Sequence, residues 1–158
     1  MVSYTAMIRS RHSTEKVFDY LVDFSNAAQW DPGIERASRD GSGSVNIGDR
    51  FNLVSRFMGR QVLLTYETVA MESPRSFVVR AEAASFFSED TITVESEGAG
   101  CVVGYHAILE FRGLTGLLSP LWQLAFNRIG ARAKEGLELH LNSNDLPSID
   151  GKSMESQI

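Results

Sequence analysis

The sequence predicts an α+β domain: a curved antiparallel sheet of about seven strands wrapped around one long C-terminal helix, with two short helices after the first strand. Three observations predict it. About six short segments between Ile34 and Phe111 alternate apolar and polar residues and are joined by short turns, which makes consecutive strands antiparallel neighbours in a meander. A further alternating segment opens the chain. Only the stretch from Pro120 to about Asn142 carries apolar residues at helical spacing over a length that can cross a sheet.

The first strand is read in "SYTAMIR", Ser3 to Arg9. Ser13 then offers an N-cap and Glu15 an anion in the first helical turn, where the helix dipole favours one. Val17, Phe18, Leu21 and Val22 follow on one helical face. Ser25 can cap a second short helix through "NAAQW", which Pro32 and Gly33 stop. Trp30, set against these chain-breakers, reads either as an anchor that docks the turn onto the core or as a pocket wall.

The meander begins with "IERASR" and the turn "DGSGS", then continues through "DRFNLVSRF", "RQVLLTYETVA", "SFVVRAEA", "DTITVESE" and "CVVGYHAILEF". "EGAG" reads as a hairpin loop. Phe51, Leu53 and Phe57 share one parity, as do Phe77 and Val79 with Ala81, and Cys101, Val103, Tyr105, Ala107, Leu109 and Phe111. One face of the sheet is therefore wet and the other covered. "LLTYETVA" fits both parities, and Val62, Leu64 and Tyr66 are assigned inward.

Pro120 suits the first position of the long helix and Ser119 its N-cap. Leu121, Trp122, Ala125, Phe126, Ile129, Ala133 and Leu137 form the face expected to meet the sheet. Gly130 and Gly136 each weaken that helix by roughly 1 kcal/mol against Ala. Residues 1–142 are expected to form one domain, and residues 143–158, without apolar periodicity, a disordered tail.

A net charge of −5 and a pI near 5.2 argue against nucleic acid as a partner. The single cysteine, Cys101, permits no internal disulfide and no cysteine metal cluster. The N-terminus lacks a signal-peptide core, and no apolar run reaches membrane-spanning length, so the expected location is cytoplasmic.

Two stretches carry a resemblance. "STEKVFDYLVDFSNAAQWDPGI" resembles the segment after the first strand in the polyketide cyclase/dehydrase and lipid-transport family. "LEFRGLTGLLSPL" resembles that family's last strand and the start of its long helix. With the element order, the likeness spans about residues 3–142 and implies the helix-grip fold of the START-like, or SRPBCC, superfamily. It also implies a space between sheet and helix. The family includes binders, carriers and cyclases, so the likeness implies a fold more than an activity.

Catalytic chemistry is hard to find in the residues. His12, His106 and His140 show no metal-ligand spacing, and neither a metal nor a cofactor is expected. Cys101 reads as a small buried hydrophobe, with no evident group to lower its pKa. Glu67, Glu89 and Asp90 read as solvated carboxylates, unless the strand parity sends one inward. Arg56 and Arg80 read as exposed strand residues. Tyr66 and Tyr105 fall on the covered parity, as core tyrosines with bonded hydroxyls or as hydroxyls aimed into a cavity.

The expected site is an apolar pocket lined by Phe51, Leu53, Phe57, Leu64, Tyr66, Phe77, Val79, Tyr105, Leu109, Trp122 and Phe126. These side chains could equally fill a core. Its expected occupant is an apolar small molecule such as a lipid, isoprenoid or polyketide, bound or transferred. The alternatives are a cyclase or dehydrase using the same cavity and a partner-binding module with a filled core. "RGLTGLLSPLW" is expected to supply a gate of Gly113, Leu114, Gly116, Leu117 and Leu118, and its apolar character also fits transient contact with a membrane. Monomer and homodimer both fit the sequence.

Overall fold

In a computed structural model, residues 1–57, 59–113 and 120–146 are described. The elements run β1 (Val2–Ser10), α1 (Thr14–Val22), a 3-10 turn (Phe24–Asn26), α2 (Ala27–Trp30), β2 (Ile34–Asp40), β3 (Arg50–Phe57), β4 (Arg60–Glu72), β5 (Ser76–Glu82), β6 (Phe86–Glu97), β7 (Gly100–Phe111) and α3 (Pro120–Leu141). The strands form one 7-stranded sheet in the order β1-β7-β6-β5-β4-β3-β2, antiparallel throughout. The meander accounts for β2 to β7, and β1 closes it by pairing with β7 from Val2↔Leu109 to Ser10↔Cys101. This is the helix-grip arrangement expected from the sequence.

Ser13 caps α1, its side chain accepting from the Lys16 backbone N–H. The second cap is Asp23 rather than Ser25: the Asp23 carboxylate accepts the Ser25 N–H at 3.2 Å and starts the 3-10 turn at Phe24, two residues earlier. A carboxylate satisfies a helix-start N–H as well as a hydroxyl does, and Asp23 is the residue outside the turn.

The two helical layers cover different parts of the sheet. Helix α1 packs against β6 and β7, and Phe18 meets Phe77 edge-on at 5.8 Å. Around them Val17, Leu21, Val79, Ile92, Val94 and Val103 make a solid core. Helix α3 packs against β1 and α2. Its two glycines serve this docking. A Cβ on Gly136 would collide with the Trp30 backbone carbonyl, and one on Gly130 with the Tyr4 ring. The glycines therefore give up helix propensity so that α3 can approach its neighbours closely.

On α3, Leu137 and Leu141 are buried, while Trp122, Ala125, Phe126, Ile129 and Ala133 are only half-buried. Leu121, expected on the gripped face, is 72% exposed. It points away from the sheet, while the next residue, Trp122, packs against Phe57 and Phe111. Beyond α3, His12 Nε2 lies 2.8 Å from the Ser143 carbonyl oxygen and Leu146 is buried, so the chain packs against the domain as far as residue 146. Residues 147–158 of the expected tail lie outside the described residues.

The parity of β4 has a local cause. Pairing with β5 shifts register between Thr68 and Ala70. Before the shift Val62, Leu64 and Tyr66 point inward, and after it Met71 is the residue packed against the core. One extra residue inverts a period-2 pattern, which is why the segment fits both parities.

Candidate functional site

Between the sheet, α2 and the middle of α3 lies a cavity of about 420 Å³. Its apolar walls come from β1 (Tyr4, Ala6, Ile8), β4 (Val62, Leu64), β7 (Ala107, Leu109, Phe111) and α3 (Phe126, Ile129, Ala133, Leu137). Phe57 and Phe86 add rings from β3 and β6. Exposed Pro32, Arg56 and Arg132 mark its rim. A dry void of this size would forfeit on the order of 10 kcal/mol at the cost per volume of engineered cavities. That rivals the whole stability of a typical domain, so the space holds water or a ligand.

The structure divides the expected lining residues. Phe57, Leu64, Tyr66, Tyr105, Leu109 and Phe126 face the cavity. Phe51, Leu53, Phe77 and Val79 do not; they are fully enclosed in the packed core. Phe77 lies under α1, and Phe51 meets Phe24 at 6.3 Å, so the two short helices fill the half of the grip that α3 leaves. Trp122 stacks on Phe57 at 5.8 Å and packs against Phe111 at 5.4 Å, supporting two lining rings from behind. Of the expected gate, Gly113 is exposed with φ +87°, and Leu114, Gly116, Leu117 and Leu118 lie outside the described residues.

Trp30 has both of its expected roles. It is 5% exposed, meets Phe24 and Tyr105 edge-on, and also lines the cavity. The next residue, Asp31, lines the cavity as well, and its Oδ1 accepts the Gly33 N–H at 2.8 Å. The Trp-Asp-Pro-Gly turn thus sets an aromatic wall and a carboxylate side by side.

Of the polar side of this cavity, sequence reasoning placed Tyr66 and Tyr105 but not Asp31, Ser88 or Asp90. Asp90, read as solvated, is 5% exposed and faces inward. The phenol of Tyr105 donates to its Oδ2 at 2.6 Å, and its Oδ1 has no hydrogen-bond partner among the described residues. Nearby, the hydroxyls of Tyr66 and Ser88 are bonded at 3.0 Å. A usable signal existed: Asp90 and Ser88 share the parity of Ile92 and Val94, both buried. The other two carboxylates behave as read, Glu67 bonding Arg50 and Glu89 bonding Arg80 on the outer face.

Burial, opposed by the Tyr105 hydrogen bond and reinforced by the charges of Asp31 and Glu89, pushes the Asp90 carboxyl up to about 7. Burial also raises Asp31, against the Gly33 N–H. Tyr66 and Tyr105 are raised by burial and by Asp90, so both remain neutral phenols at physiological pH. An unmet buried acceptor costs about 1–3 kcal/mol, which makes Asp90 Oδ1 a group ready for a donor. Chemically, the site offers an apolar volume, two neutral phenols and a carboxyl poised between its charged and uncharged forms.

The histidines take no part in it. His106 is exposed, and His140 Nδ1 lies 3.0 Å from the Gly136 carbonyl oxygen. Cys101 is buried, its thiol pushed up by desolvation. Among the described residues, no group of three or more His, Cys, Asp or Glu is placed to hold a metal ion, and no helix is long and apolar enough to cross a membrane.

The sequence profile described as polyketide cyclase/dehydrase and lipid transport matches residues 1–141. No curated protein matches the chain by sequence. Solved structures share its fold at low identity. A START superfamily protein from Mycobacterium smegmatis superimposes with a TM-score of 0.71 at 13% identity, over 88% of this chain and 96% of that one. The protein TTHA0849 from Thermus thermophilus gives 0.70 at 20% identity, over 89% and 95%. The di-domain ARO/CYC BexL from the BE-7585A biosynthetic pathway gives 0.65 at 12% identity, over 90% of this chain and 50% of that one.

Proposed function

The chain belongs to the polyketide cyclase/dehydrase and lipid-transport family, and we propose that it binds or transfers an apolar small molecule in the cavity between its sheet and α3. One observation carries this reading: an apolar-walled space of about 420 Å³, within the usual size of ligand pockets, with few polar groups converging on one side. Apolar walls supply affinity, and the phenols of Tyr66 and Tyr105 with Asp90 fix orientation. The ligand class is an apolar scaffold of lipid, isoprenoid or polyketide type. Native mass spectrometry of freshly purified protein tests it. A co-purifying apolar molecule, or saturable uptake of the neutral dye Nile red, is expected. Protein that carries nothing and takes up no dye would overturn the reading.

A second reading has its own support. Asp90, raised to about 7 and bonded to Tyr105, is suited to take a proton next to a carbonyl and return it to a departing hydroxyl. Dehydration of an already cyclised β-hydroxy carbonyl consists of those two transfers: the α C–H electrons form the new C=C bond as the C–O bond breaks, and the hydroxyl leaves as water. On this reading Asp90→Asn abolishes turnover of a polyketide-type substrate while leaving dye uptake in place. Turnover in that variant equal to wild type would remove Asp90 from the chemistry.

A further inference from the structure

The polar side of the cavity holds two carboxylates that, among the described residues, no cation answers. Asp31 and Asp90 both line the space, and the charge of Asp31 acts on Asp90, Tyr66 and Tyr105. The groups facing Asp90 are Tyr105 on β7, Tyr66 on β4 and Asp31 after α2, and the charge of Glu89, on the opposite face of its own strand, also acts on it. Three cations also line the cavity. Arg56 is bound to Glu35, Arg132 is exposed, and Lys134 is half-buried on α3. Among the described residues, no ion pair joins any of them to Asp31 or Asp90. Buried carboxylates are ordinarily paired. Asp90 lines the cavity, and its buried Oδ1 has no hydrogen-bond partner among the described residues.

From this arrangement we propose that the ligand is a cationic amphiphile: an apolar body bearing a protonated amine, which enters head-first and donates to the Asp90 carboxylate beside Asp31. The inference rests on the binding reading above and names its ligand class. An ammonium provides donors and charge together. A neutral hydroxyl would meet only the donor requirement, and a carboxylate entering head-first beside Asp31 and Asp90 would be repelled by both. The hydrogen bond from Tyr105 fills Oδ2 and holds the carboxyl plane, and among the described residues Oδ1 has no partner. Because the Asp90 carboxyl sits at about 7, an ammonium should draw it into the ionised form, and capture should strengthen as pH rises through that value.

The test uses three probes with one chain length: octylamine, 1-octanol and octanoate, each displacing Nile red from the full-length protein. Octylamine stays protonated at about pH 6 and about pH 8, so any pH effect on it belongs to the protein. Octylamine is expected to displace dye at roughly tenfold lower concentration than octanol at the higher pH, with octanoate weakest. That preference should shrink several-fold at the lower pH. It should be lost in Asp90→Asn and reduced in Asp31→Asn, both checked for folding by circular dichroism. Octanol or octanoate binding as tightly as octylamine would overturn the amine proposal and leave the binding reading intact. So would a wild-type preference independent of pH, a readout that needs no variant. Absence of dye uptake and of binding by all three probes would overturn the binding reading, and this inference with it.

Discussion

Asp90 shows how a residue can be legible in parity and still be misread in chemistry. Its position, two before Ile92 and four before Val94, places it on the inward face, yet acidic residues are expected in solvent. What overrides that expectation is the cavity, which gives a carboxyl somewhere to be without being packed against apolar atoms on every side. The linkage follows from its raised pKa. Unfolded, Asp90 ionises near the ordinary carboxyl value of 3.8; folded, it ionises at about 7. Between those values the folded state binds the extra proton, so stability falls as pH rises through this window and levels off above it. Asp90→Asn is therefore expected to be more stable than wild type at about pH 8, by on the order of a few kcal/mol, with the difference vanishing below about pH 4. Urea denaturation across that range measures it, and a pH-independent difference would show that Asp90 is not buried in its uncharged form. Tyr105→Phe removes the one bond that lowers Asp90, so the carboxyl should titrate higher still, read from its ¹³C chemical shift.

At the scale of elements, α3 was legible as a helix but its glycines were not legible as contacts. Composition charges Gly130 and Gly136 with weakening the helix, whereas the fold uses them to seat it against Tyr4 and Trp30. The two effects predict opposite signs for Gly136→Ala. Helix propensity alone favours Ala by about 1 kcal/mol. The collision with a backbone carbonyl, which cannot rotate away, costs typically about 1–3 kcal/mol or more. The variant is expected to lower the melting temperature, and a rise would mean that α2 and α3 separate without penalty. The same distinction separates the expected lining residues. Phe51, Leu53, Phe77 and Val79 were rightly read as inward, but parity says only which side of the sheet a residue faces. Which helix covers it, α1 with solid packing or α3 with a gap, is a tertiary matter.

For the whole molecule, the central consequence is that one part of the grip is a packed core and another is a cavity. Stability should then depend on occupancy. A ligand at a hundredfold excess over its Kd stabilises by about 2.7 kcal/mol. For a chain of this size that is a rise of several degrees in melting temperature, roughly 2–4 °C per kcal/mol. Octylamine or a co-purified apolar molecule should produce such a concentration-dependent rise, and a flat melting temperature across a saturating titration would argue that the cavity stays closed to it. The sequence by itself determined the element order, the antiparallel meander, the long C-terminal helix and the family, because these rest on periodicity, turn chemistry and local motifs, all properties of neighbours along the chain. Only the tertiary structure decided where the apolar faces meet and where they stand apart, that Trp30 and Asp31 line one cavity with Asp90, and that among the described residues Oδ1 of Asp90 has no donor. Those facts depend on distances between α2, α3, β6 and β7, residues 30 to 137, and no local pattern encodes a gap between elements so far apart in sequence.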